Sequence, residues 1–153
     1  SIKKQKHSTP VLIKISPDLM DEQIQDVINV CLSHRVNGLV VSNTTISREG
    51  IINAVHSKEA GGLSGKPLRD RSSQLISEIY PMVKNKMILI GVGGISSGRE
   101  VFDRISNGAS LVQLYTALVY QGPYTIKKIK KELITIMQSN GIKDLKSLVG
   151  SAC

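Results

Sequence analysis

The stretch Gly91-Val92-Gly93-Gly94-Ile95 decides the fold of this chain, together with Gln113-Leu114-Tyr115-Thr116 further along. Each stretch joins a short apolar run, Met87 to Ile90 or Ser110 to Leu114, to a small or polar turn and then to a helical pattern. Two successive strand–turn–helix units of this kind form the phosphate site at the carboxyl end of a parallel β/α barrel. Glycine suits that position because phosphate oxygens must approach backbone N–H groups closely, which a Cβ would prevent. The two stretches therefore predict a phosphate-bearing ligand at the end of a parallel sheet.

Apolar runs that suit strands alternate four times with apolar residues at helical spacing, which predicts the α/β class. The predicted strands are Val11–Ile15, Gly38–Ser42, Met87–Ile90 and Leu111–Leu114. Four predicted helices are Asp21–His34, Asp70–Lys84, Tyr124–Gln138 and Asp144–Leu148. A fifth lies between the third and fourth strands, where Ser96 or Ser97 caps its start and Asn107-Gly108 closes it. Pro81 is expected to kink the second helix or end it early. The strands are continuous apolar runs, which is typical of parallel strands covered on both faces.

Four β/α units amount to half of an eight-stranded TIM (β/α)8 barrel. By itself, a four-stranded sheet of this kind has two unpaired edges and an uncovered inner face. We therefore expect another segment of polypeptide to complete the barrel. Residues 1–9 are polar and basic and lack an initiator methionine, so they are interpreted as the remnant of a cut surface linker. Residues 10–153 are assigned to the carboxyl-terminal half of the barrel.

Composition excludes several classes of protein. With 153 residues, of which 41% are apolar, the chain can bury one ordinary globular core. It has no apolar run near the roughly 20 residues that span a bilayer, and no signal-like amino terminus. Its two cysteines do not suggest a disulfide scaffold, and Cys31 falls on the apolar face of a predicted helix, where it is expected to be buried. The three histidines lack metal-ligand spacing, so no metal site is expected.

The formal charge of +8 raises the question of a nucleic-acid or other anionic partner. The lysines concentrate in the amino-terminal tail and in one predicted helix, at Lys127, Lys128, Lys130 and Lys131. The same helix has apolar residues predicted to face inward, at Ile126, Ile129, Leu133 and Ile136, so a solvated helix face explains the lysines. Since only 3% of residues are aromatic, few side chains could stack on bases, and nucleic-acid binding is disfavoured.

Lys14 is the first candidate functional residue, because active sites of such barrels lie at the carboxyl ends of the strands. It is the penultimate residue of the first predicted strand and has apolar neighbours on both sides. It is either a surface lysine or a cation that points into the barrel mouth, where it needs an anionic partner. The apolar surroundings favour the second interpretation.

Polar and glycine-rich segments follow the other strands. Ser42-Asn43-Thr44-Thr45 forms either a polar turn or a site for a planar ligand rich in amides, since Asn both donates and accepts. The loop Gly61-Gly62-Leu63-Ser64-Gly65-Lys66 does not match P-loop spacing and indicates little by itself. No serine has a histidine at a strand end to activate it, and no paired acids lie there. A cation, amides, hydroxyls and a phosphate cradle together suit a phosphorylated cofactor that supplies the chemistry itself.

Five motifs together resemble the dihydroorotate dehydrogenase family, in its class 2, quinone-linked, membrane-associated form. They are Val11-Leu12-Ile13-Lys14-Ile15-Ser16-Pro17-Asp18-Leu19, Ser42-Asn43-Thr44-Thr45, Gly61-Gly62-Leu63-Ser64-Gly65-Lys66-Pro67-Leu68, Gly91-Val92-Gly93-Gly94-Ile95-Ser96-Ser97-Gly98 and Gln113-Leu114-Tyr115-Thr116-Ala117-Leu118. All occur in order, and the resemblance runs from Pro10 to Gly150. The sequences Ser64 to Leu68 and Gln113 to Ala117 distinguish class 2 from the soluble class 1 enzymes and from related FMN barrels.

The resemblance implies a barrel that binds FMN, oxidises dihydroorotate to orotate in pyrimidine biosynthesis and passes electrons to ubiquinone. Lys14 would lie beside the flavin ring and stabilise the negative charge that develops there. Ser42, Gly65, Gly94, Tyr115 and Thr116 match further FMN-binding positions of the family, and the last three of these lie near the phosphate. Asn43 and Thr44 match the positions that hold the pyrimidine. Ser42 replaces the threonine usual in the family, so the hydroxyl is kept and a methyl is lost.

Other functional parts of the family have no counterpart in this chain. The resemblance implies that the catalytic serine base and further asparagines belong to the first half of the barrel, and the quinone entrance and membrane contact to amino-terminal helices. We therefore expect the chain to be inactive alone and to function with the amino-terminal half of the same enzyme, at the mitochondrial inner membrane. The alternative is a non-catalytic half-barrel that binds phosphate or other anions.

Overall fold

The computed structural model of the chain describes residues 9–55 and 57–153. Four parallel strands lie side by side in chain order: β1 (Leu12–Ile15), β2 (Gly38–Val41), β3 (Ile88–Val92) and β4 (Leu111–Gln113). The helices are α1 (Asp21–Ser33), α2 (Arg69–Val83), α3 (Gly98–Ser106), α4 (Thr116–Gln121), α5 (Tyr124–Ser139) and α6 (Leu145–Leu148), and a 3₁₀ turn at Lys66–Leu68 precedes α2. This confirms the α/β class and the succession of four β/α units. Residues 1–8 of the expected linker lie outside the described residues, so the domain boundary stays a prediction.

One face of the sheet packs against the helices. Strand residues such as Leu39 and Leu89 belong to a buried cluster with α1 and α2. A second cluster joins α3, α5 and α6 through Val101, Ile105, Ile129, Leu133 and Leu148. Cys31 is buried in the first cluster, as expected, and burial raises the pKa of its thiol. It is therefore an unreactive core side chain.

The opposite, inner face of the sheet is incompletely covered by the described residues. The strand registers place Leu12, Gly38 and Ile88 in one row on this face, and a Cβ on Gly38 would touch both neighbouring side chains. Leu12, Ile88 and Leu111 remain 39%, 42% and 57% exposed. Of the four described strands, β2 alone is buried throughout, and the edge strands β1 and β4 keep exposed residues. This agrees with the open edges and uncovered inner face expected of a four-stranded sheet by itself. An apolar face left open in this way is what half of a closed barrel presents.

Four local details refine the sequence-based prediction. Pro81 lies inside α2, which continues to Val83, because a proline in the last turn gives up only one helix hydrogen bond. Ser97, not Ser96, caps α3 by accepting a hydrogen bond from the Glu100 N–H. The short helix α4 is absent from the sequence-based prediction. Ile126, expected to face inward, is exposed, whereas the four lysines of α5 are exposed as expected.

Candidate functional site

The candidate site residues lie at the carboxyl-terminal edge of the sheet or in the loops that follow it. Lys14 is in β1, and Gly65 lies in the long connection between β2 and α2. The others directly follow a strand: Ser42, Asn43 and Thr44 follow β2, Gly94 follows β3, and Tyr115 and Thr116 follow β4. Parallel strands bring their carboxyl ends to one edge, which is where ligands bind in β/α proteins.

A cavity of about 390 Å³ is lined by Gly65, Gly94 and Thr116. The Thr116 hydroxyl lies 3.0 Å from the Ser64 hydroxyl, and a Cβ on Gly65 would lie 3.0 Å from the Thr116 methyl group. The structure therefore brings together two of the predicted phosphate-site residues, Gly94 and Thr116, with a further predicted FMN-binding residue, Gly65. Tyr115 is exposed and is not among the lining residues. The remaining lining residues are Lys66, Arg69, Ile95, Ser96, Glu100, Ala117, Tyr120 and Gln121.

Gly94 occupies a turn that suits only glycine. Its φ is +68°, a left-handed conformation that favours glycine, and a Cβ there would lie 2.6 Å from the Arg69 Cα. In the described part of the chain its N–H donates to no acceptor. An unpaired amide beside a cavity is available to an anionic ligand.

Glu100 and Arg69 place opposite charges on the wall of this cavity. The Glu100 carboxylate accepts hydrogen bonds from the Ser96 N–H (2.7 Å), the Ser96 hydroxyl (3.0 Å) and the Ser97 hydroxyl (3.1 Å), and it lies 3.6 Å from Arg69 Nη1. Burial by itself would raise the pKa of Glu100, but these hydrogen bonds and the Arg69 charge outweigh it and hold the pKa below its ordinary value. Glu100 is therefore an anion that fixes the turn after β3.

Lys14 lies on the inner face of the sheet. It pairs in register with Val40, which pairs with Ile90. The side chain is exposed and forms no hydrogen bond or ion pair with any residue that the structure describes. The anionic partner that the sequence leads us to expect is therefore not found within residues 9–55 and 57–153. Lys14 is a cation available to a ligand at the inner face.

The segment after β2 is tied to both neighbouring strands. Ser42 is buried, its N–H donates to the Val92 carbonyl at 3.1 Å, and its hydroxyl donates to the Asn43 carbonyl at 3.0 Å. The Asn43 N–H donates to the Ile15 carbonyl at 2.8 Å. The side chains of Asn43 and Thr44 are exposed. The backbone is thus fixed while two polar side chains stay free to contact a ligand.

Asp18 clamps the same segment from the loop after β1. Its carboxylate accepts hydrogen bonds from the Thr45 hydroxyl (2.5 Å) and the Ile46 N–H (2.9 Å). Thr45 in turn pairs with Leu63 through two backbone hydrogen bonds, which joins the segment to the glycine-rich loop. Sequence reasoning missed this clamp because Asp18 and Thr45 are 27 residues apart. A single acid after a strand carries no signal for such a partner.

Arg104 was also missed, although it is a buried charge in direct contact with the glycine turn. It is 1% exposed, and its guanidinium donates to the Ser72 hydroxyl. It also donates to the carbonyls of Arg69 and Gly93, with both of these distances 3.1 Å. Burial lowers its pKa to about 10, and nearby carboxylates oppose this shift, so it remains a cation at neutral pH. The available signal was a charged residue three positions after Val101, on the inward stripe of α3.

The described residues contain neither a metal-binding cluster nor a membrane-spanning helix. Within residues 9–55 and 57–153, no three histidine, cysteine, aspartate or glutamate side chains are grouped so that they could hold a metal ion. Among the helices of this part of the chain, none has the length and apolar content needed to cross a membrane. Two of the three histidines, His7 and His56, lie outside the described residues.

A four-stranded parallel β/α sheet with an open inner face, and with a glycine-lined cavity beside the carboxyl ends of its strands, has the architecture of half a β/α barrel. The family model for dihydroorotate dehydrogenase matches residues 1–137. The chain belongs to the dihydroorotate dehydrogenase family.

Individual relatives agree with this assignment. A dihydroorotate dehydrogenase (quinone) of Parvibaculum lavamentivorans is 45% identical over 146 residues, covering 95% of this chain and 42% of the relative. A mitochondrial dihydroorotate dehydrogenase (quinone) of Oryza sativa subsp. japonica is 46% identical over 143 residues, covering 93% of this chain and 30% of the relative. The crystal structure of the Eimeria tenella enzyme in complex with ferulenol superposes with a TM-score of 0.90 at 37% identity, covering 97% of this chain and 40% of that one. The chain thus spans well under half the length of these relatives.

Proposed function

We propose that this chain is the carboxyl-terminal half of an enzyme that oxidises dihydroorotate to orotate, with FMN as cofactor and a quinone as electron acceptor. The observation that carries the proposal is the cavity where Gly65, Gly94 and Thr116 converge, in a chain that belongs to this family. Since the matched relatives are more than twice as long, the chain acts together with an amino-terminal half, on the same polypeptide or on another.

The residues present fit the phosphate end of FMN. The unpaired Gly94 N–H and the Thr116 hydroxyl are donors on one cavity wall, and the Gly94 backbone leaves no room for a side chain. Lys66 and Arg69 add positive charge to the lining, while the one lining carboxylate, Glu100, is already held by Ser96, Ser97 and Arg69. A dianionic phosphate is stabilised by this set of amides, hydroxyl and cations. When bound, FMN supplies the hydride acceptor and the electron relay to the quinone.

The inner-face residues take the remaining roles in the proposal. Lys14, a cation without a protein partner in the described residues, stabilises negative charge on the flavin ring. Ser42 and Tyr115 are proposed as further FMN contacts. The exposed Asn43 and Thr44 side chains hold the pyrimidine, on a backbone that the neighbouring strand and the Asp18 clamp keep in place. The catalytic base is proposed to lie in the amino-terminal half.

Cellular placement is a separate part of the proposal. The rice relative is named as mitochondrial, whereas the bacterial relative of similar identity is not. We propose the mitochondrial inner membrane, with membrane contact and the ubiquinone site supplied by amino-terminal helices outside this chain. Fractionation of the source cells, followed by salt and detergent extraction of the membranes, tests this placement.

A hybrid enzyme tests the activity. In this hybrid, the chain would replace the matching carboxyl-terminal segment of the Parvibaculum lavamentivorans relative. That relative supplies the amino-terminal half, and the unaltered relative is the positive control. We expect the purified hybrid to carry FMN, seen by its visible absorbance, and to form orotate from dihydroorotate while reducing a quinone. A hybrid with Lys14→Ala should keep FMN and lose most turnover.

A folded hybrid that carries FMN but forms no orotate would contradict the proposed activity. The same hybrid would instead support the alternative of a non-catalytic, phosphate-binding half-barrel. A folded hybrid that binds neither FMN nor inorganic phosphate would contradict both functions.

A further inference from the structure

Arg104 joins three segments that meet beside the candidate phosphate cavity. Its Nη2 donates to the carbonyls of Gly93, in the glycine turn, and Arg69, in the first turn of α2. Its Nη1 donates to Ser72 Oγ, which itself donates at 2.6 Å to the carbonyl of Val92 at the end of β3. One guanidinium therefore fixes the strand end, the turn and the start of the next helix relative to one another.

The contact with Gly93 also sets the direction of the next amide. The Gly93 carbonyl and the Gly94 N–H belong to one trans peptide unit, in which they point in opposite directions. Because Arg104 holds the carbonyl on its own side, the Gly94 N–H points away from Arg104. Gly94 is among the residues that line the cavity and Arg104 is not, which fits an amide directed to the cavity side of the turn.

The charge of Arg104 lacks a direct counter-ion. Its acceptors are a hydroxyl and two carbonyls, and no carboxylate in the described part of the chain forms an ion pair with it. Its Nε is buried and donates to no described atom. Glu100 and Asp70 act on this charge only from a distance. A buried cation whose hydrogen-bond partners are all neutral is unfavourable, and an anion on the other side of the turn would compensate it further. Hydrogen bonding to the Gly93 carbonyl also polarises the peptide, which strengthens the Gly94 N–H as a donor.

We propose that Arg104 is a positioning residue for the cofactor phosphate: it aims the Gly94 N–H at the phosphate and places a buried positive charge behind the turn, without touching the cofactor. The identity of the anion rests on the proposed function. The contacts of Arg104 do not, so the two can be tested separately.

A comparison of FMN with riboflavin tests the proposal, because the two ligands share the ring and differ in the phosphate. Affinities would be measured by fluorescence titration of the apoprotein, with this chain joined to the amino-terminal half. We expect Arg104→Met to lower the affinity for FMN about tenfold or more and to change the affinity for riboflavin less than about twofold. The matched control is Arg99→Met, which removes an arginine of the same helix whose side chain is 68% exposed, and should change neither affinity.

Arg104→Lys keeps a cation on a long stem but cannot hold both carbonyls. We expect it to bind FMN with an affinity between those of the wild type and Arg104→Met, and it carries the test if Arg104→Met does not fold. If Arg104 had a purely structural role, its substitution would lower the affinities for FMN and for riboflavin equally. That result, or no change in either affinity, would overturn the proposal.

Inorganic phosphate separates this proposal from the proposed function. If the wild type binds phosphate but not FMN, the flavoenzyme function fails, while loss of phosphate binding in Arg104→Met still supports the role of Arg104. If the wild type binds neither phosphate nor FMN, the role of Arg104 is overturned as well.

Discussion

Ser64 and Thr116 are 52 residues apart in the chain, yet their hydroxyl oxygens lie 3.0 Å apart. The contact joins the glycine-rich loop before α2 to the first residue of α4. One hydroxyl donates to the other, which leaves a second hydroxyl proton available to a ligand. This contact between the loop and the residue that begins α4 holds Thr116, a lining residue, at the candidate phosphate cavity.

Thr116→Val should weaken FMN binding about tenfold, because it keeps the shape of the side chain and removes a hydroxyl that can donate to a charged phosphate. Thr116→Ser keeps the hydroxyl and should bind FMN within a few-fold of the wild type. Titration of the apoprotein with FMN and with riboflavin measures the effect. Equal FMN affinities for the Val and Ser variants would mean that the hydroxyl does not contact the phosphate.

Gly94→Ala should destabilise the fold more than Gly141→Ala does. Both glycines have φ of +68°, so both substitutions carry the same backbone strain of about 1 kcal/mol. A Cβ on Gly141 meets nothing within 4 Å, whereas a Cβ on Gly94 would collide with Arg69 and add about 1–3 kcal/mol. Urea unfolding curves measure the difference. Equal losses of stability in the two variants would show that the Gly94 turn can move away from α2.

Lys14→Ala should lower the turnover of the hybrid enzyme about a hundredfold, as loss of a group that stabilises developing charge does. Its stability should change by less than about 0.5 kcal/mol, since the exposed side chain has no partner among the described residues. Lys130→Ala, an exposed lysine of α5, is the control and should change neither quantity. Unchanged turnover in Lys14→Ala would remove Lys14 from the active site.

Glu100→Gln should lower stability at neutral pH by about 1–2 kcal/mol, because hydrogen bonds to a carboxylate are stronger than those to a neutral amide. The pKa of Glu100 is lowered in the folded protein, so its stabilising contribution is complete above the unfolded carboxyl pKa of about 4.3 and is lost as the pH falls through the folded value. The wild type and Glu100→Gln should therefore converge in strongly acidic solution. A stability difference that stays constant from neutral to acidic pH would exclude this origin.

The regular elements were predictable because their signals are local. Continuous apolar runs and apolar residues at helical spacing placed four strands and most helices within one or two residues of their observed ends. The exceptions also have local causes. The six-residue α4 is too short to show a clear helical period, and Ile126 sits beside the packed stripe of Ile129 and Leu133 rather than on it.

The candidate site was predictable in part. Gly94 and Thr116 line one cavity, as expected of a phosphate site, and Gly65, predicted as an FMN-binding residue, lines it too, whereas Tyr115 does not. Their contacts with a cofactor stay a prediction. Asp18 and Arg104 escaped prediction because their roles depend on acceptors and donors that are 11 to 35 residues away in the chain. No local pattern identifies such partners.

The sequence by itself determined the order of strands and helices and the positions of the glycine turns, since these depend on hydrophobic period and on residues that tolerate a positive φ. Only the tertiary structure decided that Gly94 lines the cavity, that Arg104 holds the carbonyl of Gly93 beside it, and that the inner face of the sheet stays open. The physical reason is that these features arise where distant segments pack together, and both a buried charge and an uncovered apolar face are defined by their neighbours rather than by the residue itself.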